Sequence, residues 1–179
     1  WMMSINLNYP DIRNAYLNEF MDSIIHILAK QKNLDIINGI ITLIPSIEPF
    51  LNEKYEQALI LSLCNICPKM ITISSQFRAL NTIYTLYSQR ITITKVSLIP
   101  NAFFCLLFFT NTTIQIRKTL GKKSLKLFTL VTDFIVLLHS HMSPSDMQSS
   151  TKYIAAFRDS LSEYPECHCL VERLRLLLG

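Results

Sequence analysis

The chain has 179 residues, of which 50% are apolar and 17% charged, with three glycines and a formal net charge of +4. That length fits one domain with a sizeable core, and so few glycines argue against turn-rich β architecture and glycine-rich phosphate loops. The charged fraction lies below the roughly 25% of an average soluble chain, so the surface is short of charged cover and must meet either a partner or lipid.

Apolar residues recur at three- and four-residue spacing nearly throughout, the pattern of amphipathic helices. The first helix is predicted over about 11–30, with Ile12, Tyr16, Phe20, Ile24, Ile27 and Leu28 as its inward stripe. A second covers 34–47, with Leu34, Ile37, Ile41 and Ile44 inward and Pro45 and Pro49 as stop signals. Asn52 caps a third, which carries Glu53 and Glu56 in its first turn, buries Tyr55, Leu59, Leu63 and Ile66, and stops at Pro68. A fourth starts near Ser74 and Ser75 and carries Phe77, Leu80, Tyr84 and Tyr87. A fifth, over about 96–110, is apolar on most faces and so belongs at the centre, with Phe104, Leu107 and Phe108 buried. A short sixth over about 113–120 closes at Gly121.

The seventh spans about 122–141 on a seam of Leu127, Val131, Phe134 and Leu138. Ser143-Pro144-Ser145-Asp146 opens the eighth as an acidic variant of the capping box, ahead of Met147, Ile154, Phe157 and Leu161. Pro165 opens a ninth, with Leu170, Leu174 and Leu177 buried. The segments 71–73 and 91–94 also read as short strands, but nothing obvious pairs with them. Helices of this length with short connections favour antiparallel neighbours. The predicted fold is therefore all-α: about nine helices stacked as antiparallel hairpins in a short irregular HEAT-like α-solenoid, forming one domain over 1–179. The apolar pattern of 174–179 runs to the end of the sequence, as in a piece of a longer chain or an end that docks on a partner.

Charge is distributed unevenly. Between Glu56 and Asp133 lie 76 residues without an acid and with nine bases: Lys69, Arg78, Arg90, Lys95, Arg117, Lys118, Lys122, Lys123 and Lys126. Both flanks are net acidic. A one-signed middle points to a negative partner. Its densest part, Arg117, Lys118, Lys122, Lys123 and Lys126, straddles the corner at Gly121 and is the candidate binding surface. Three readings are open for it: a solvated face, an acidic protein, or RNA phosphates. Phe128 is the one aromatic beside it, so base stacking is not indicated.

No catalytic constellation holds together. Cys64-Asn65-Ile66-Cys67 has metal-ligand spacing and Cys167-His168-Cys169 could complete a zinc set, but the first pair sits in an apolar helix and the second diverges. Gly121-Lys122-Lys123-Ser124 lacks the upstream glycine and strand of a P-loop. His139 and His141 stand two apart on a helix and cannot converge with Asp133 or Asp146. The expectation is a non-enzymatic protein with no cofactor, no metal and no small-molecule substrate.

The uncharged window 96–116 is interrupted by Pro100, Asn101 and Asn111. Its unbroken apolar run, 102–109, is well short of the roughly 20 residues of a membrane span. No basic leader precedes an apolar stretch at the start, and five cysteines without a secretory signal read as free thiols. Asn111-Thr112-Thr113 is a glycosylation acceptor only in a secreted chain. A cytoplasmic location away from membranes is expected.

The run Gln57-Ala58-Leu59-Ile60-Leu61-Ser62-Leu63-Cys64, followed by Ser75-Gln76-Phe77-Arg78-Ala79-Leu80-Asn81 and a further helix over 126–138, resembles the helical-repeat part of subunit M of eukaryotic translation initiation factor 3. The resemblance covers about 33–141. It implies a PCI-type scaffold in a multi-subunit assembly beside RNA, with other protein subunits as partners. The winged-helix half of that family has no counterpart here, and this chain carries far fewer charges.

Overall fold

The computed structural model describes residues 10–70, 72–89, 93–103, 105–106 and 122–179. Among these residues the fold is helical and contains no strand: Ile73 opens a helix, and 93 and 94 are helical, so the strand alternatives for 71–73 and 91–94 do not hold where they are described. The helices are α1 (Pro10–Lys30), α2 (Leu34–Ile47), α3 (Glu53–Ile66), α4 (Ile73–Gln89), α5 (Ile93–Ser97), α6 (residues 99–103 and 105–106), α7 (Lys122–His139), α8 (Pro144–Ser162) and α9 (His168–Leu178).

Local chemistry sets the boundaries. Asn33 Oδ1 accepts from the Asp35 amide at 2.9 Å, and Asn52 Oδ1 from the Tyr55 amide at 3.1 Å. Ser143 Oγ accepts from the Asp146 amide at 3.2 Å and donates to the Asp146 carboxylate, closing the predicted cap. Each bond satisfies an amide that the helix start leaves open. Pro45 does not stop α2. It sits in the last turn, and the chain tightens into a 3-10 turn at Glu48–Phe50 only beyond Ile47. Pro68 lies in a similar 3-10 turn after α3, at Cys67–Lys69.

The predicted fifth helix differs in one respect. Helix α5 begins at Ile93 and ends at Ser97, Leu98 forms a turn, and a new helix starts before Pro100. Proline has no N–H to continue an upstream ladder and fits the first turn of a helix. Phe103, Cys105 and Leu106 are buried. Phe104, Leu107, Phe108 and the predicted sixth helix lie outside the described residues.

The helices pack in two rows. In one, α2, α4, α7 and α9 lie side by side in that order; in the other, α1 packs on α3 and α3 on α5. The pairs α1/α2, α3/α4 and α8/α9 link consecutive helices into hairpins. This is the stacked-hairpin arrangement of a short irregular solenoid, in which each layer buries its apolar face on the next. At the α4/α7 contact the Phe134 ring meets Tyr84 edge-on at 5.7 Å and Tyr87 at 5.5 Å. At α7/α8, Phe128 meets Phe157 at 6.2 Å. The seam of α7 is buried as expected, at Leu127, Val131, Phe134 and Leu138, and so is that of α3. Helix α1 is rotated from its expected stripe. Met21, Ile24 and Leu28 form its buried line, while Tyr16 is 52% exposed and Ile27 37%.

Candidate interaction surface

Of the five predicted site residues, Lys122 and Lys126 are exposed one turn apart at the start of α7. Arg117 and Lys118 lie outside the described residues, as does the side chain of Lys123. The first turn of α7 has no acid. Lysines there stand at the positive end of the helix dipole, where each is unfavourable by about 0.3–1 kcal/mol unless an anion is near.

The structure takes one member out of the acid-free set. Lys95 is 1% exposed, and its Nζ lies 2.7 Å from Glu56 Oε2. The same ammonium donates to the Leu86 carbonyl, and the Lys95 carbonyl accepts from the Tyr87 hydroxyl at 3.2 Å. One lysine thus ties α5 to α3 and α4. Its charge is compensated inside the fold and is not offered to a partner. Arg78 remains exposed and donates to Thr42 Oγ1 at 3.2 Å, joining α4 to α2. The acid that ends the span, Asp133, pairs with Arg173 at 2.7 Å and joins α7 to α9.

The cysteines are core residues, apart from exposed Cys169. Among the described residues no group of His, Cys, Asp and Glu is placed to hold a metal ion. A hydrogen bond with Cys105, reinforced by burial, holds the Cys64 thiol far above its usual range. Cys64 lowers Cys105, but Cys67 and burial outweigh it and Cys105 is also raised. Protonated, buried thiols are poor nucleophiles and poor ligands. His139 is half-buried and His141 exposed, at the end of α7.

The feature missed in the sequence is the outer face of α2. Ile37, Ile41 and Ile44 are buried, but Ile36 and Leu43 are exposed and Ile40 is half-buried. Ile36, Gly39, Ile40 and Leu43 follow i, i+3, i+4, i+7 spacing and share one face. Phe50, in the turn that follows, is exposed as well. A Cβ at Gly39 would meet nothing within 4 Å. A glycine inside a helix costs about 0.5–1 kcal/mol against alanine, and among the described residues nothing in the packing requires one here. The signal was present in the sequence: α2 holds two apolar stripes where burial on one side needs one.

No family model, curated protein or solved structure matches the chain. No helix among the described residues is long and apolar enough to cross a membrane.

Proposed function

We propose that this protein is a non-enzymatic helical-repeat scaffold that binds another protein subunit through the outer face of α2. The observation that carries this reading is the apolar face of α2 on which Ile36, Gly39 and Leu43 are exposed beside half-buried Ile40, while Ile37, Ile41 and Ile44 on the opposite side are buried. Exposed apolar patches on stacked helices are where such proteins take partners. The glycine offers a flat place where a partner helix can approach closely, so the fitting occupant is an apolar helix of another subunit. The resemblance at 57–64 and 75–81 supports reading this scaffold as part of a cytoplasmic, translation-related assembly.

The test is affinity purification from the native cell with the wild-type chain and with Ile36→Glu/Leu43→Glu, compared by quantitative mass spectrometry. Partners retained by the wild type and lost by the variant support the reading. An identical partner set for both overturns it.

A second reading, RNA binding by the basic middle, is favoured by exposed Lys122 and Lys126 at the positive end of α7. Single-stranded RNA titrated at two salt concentrations tests it: Z phosphate contacts give a log–log slope of about −0.7Z. Absence of binding at low salt removes it.

A further inference from the structure

We infer that α1 is a self-association surface, on which a second copy of this chain packs antiparallel about a two-fold axis. The rotation of α1 in the stack leaves Tyr16, Glu19, Ser23, His26, Ile27 and Lys30 along one side of the helix, at i, i+3, i+7, i+10, i+11 and i+14. All six are exposed. Tyr16 and Ile27 are the large apolar members. A shallow groove runs along this side, lined by Glu19, Asp22, Ser23, His26 and Ile27. The Ser23 hydroxyl donates to the Glu19 carbonyl at 2.9 Å, so its short side chain lies against its own helix and leaves the middle of the face low.

The charge order along the face selects the occupant. The acids Glu19 and Asp22 come first and the base Lys30 comes last, and among the described residues none of the three is ion-paired within the chain. Among the six residues of the face, Glu19 is the acid and Lys30 the base, and they form its outward pair. A two-fold axis crossing the face midway between Ser23 and His26 sets Glu19 of each copy opposite Lys30 of the other. The same axis sets His26 of each copy opposite the other's Ser23, the low part of the groove, and Ile27 at the level of its Asp22. A parallel pairing would oppose Glu19 to Glu19. An acid-first, base-last face is therefore complementary to itself in the antiparallel sense, which is the symmetry of an isologous dimer. Helix α1 is 21 residues long, or about 30 Å at 1.5 Å per residue, enough for several layers of contact.

The experiment is sedimentation equilibrium of the full chain over a range of concentrations. The account expects a mass rising from 20.7 kDa to twice that value. Glu19→Lys and Lys30→Glu should each raise the dimer Kd about tenfold or more, since each opposes like charges twice across the axis. The combination Glu19→Lys/Lys30→Glu restores opposite signs and should bring Kd back to within about threefold of wild type. Both positions are exposed, and circular dichroism of each variant confirms that the fold is kept. A chain monomeric at every concentration, single variants without effect, or a double variant as weak as the singles would each overturn the inference.

Discussion

Lys95 and Glu56 form an ion pair at 2.7 Å inside the helix stack, and Glu56 is the last acid before the 76-residue span to which Lys95 belongs. A base counted as surface charge is thus consumed by the acid at the edge of its own span. The two partners differ in exposure, at 1% for Lys95 and 18% for Glu56.

That asymmetry predicts unequal costs. Glu56→Gln leaves a buried ammonium without its counter-charge and should destabilise by about 3–5 kcal/mol, the range for breaking a buried pair. Lys95→Met leaves a carboxylate that water can still reach and should cost less, about 1–3 kcal/mol. Urea unfolding monitored by circular dichroism measures both. Equal small losses would show that the pair is solvated.

Asp133–Arg173 provides the contrast. Both side chains are about one-third exposed, at 33% and 38%, so solvent screens the pair. Asp133→Asn should shift stability by no more than about 1 kcal/mol in the same measurement.

Stability should fall on the alkaline side. Tyr55 is raised by burial and then by Asp22, Tyr87 by burial and then by Cys64, and Cys64 and Cys105 are raised as described. Each group binds its proton more tightly folded than unfolded. The stabilisation is therefore complete below the unfolded values of 9.0 for the thiols and 10.0 for the tyrosines, and is lost as pH rises through the higher folded values. Thermal unfolding should give a Tm that declines with increasing pH above about 9, in line with the unfolded thiol value. Tyr55→Phe should flatten that decline and lower the neutral-pH stability by about 1 kcal/mol through loss of the 3.2 Å bond to the Asn18 carbonyl. A pH-independent Tm up to pH 11 would contradict the buried, protonated state.

Much of the fold was legible in the sequence because capping and periodicity are local. Asn52 and Ser143 cap where expected, and the seams of α3 and α7 point inward as read. What escaped was relational. The stripe of α1 contains more apolar residues than one side can hold, and its docking against α3 and α2 leaves Met21 buried and Tyr16 exposed. Charge patterning treated Lys95 as surface because linear distance hides that residue 56 is its neighbour. The break at Leu98 was signalled by Pro100, whose effect on the preceding turn outweighs the apolar run around it. Lys122 and Lys126 of the candidate basic surface are exposed, and of the two apolar stripes present in the sequence of α2 only their burial tells which one faces the core.

Gly39→Ala separates folding from function. Its Cβ would meet open space, so the substitution should stabilise the free chain by about 0.5–1 kcal/mol, measured by urea unfolding. The same methyl should obstruct close approach of a partner helix and weaken the complex. A variant both less stable and equally well bound would place the glycine's role elsewhere.

The most direct test of the scaffold account is amide hydrogen exchange on the chain free and in its co-purified complex. The account predicts new protection concentrated over α2 and the turn that follows it, residues 34–50, in the complex. Unchanged exchange over α2, with protection gathered instead at the start of α7 around Lys122 and Lys126, would contradict it and point to the basic surface.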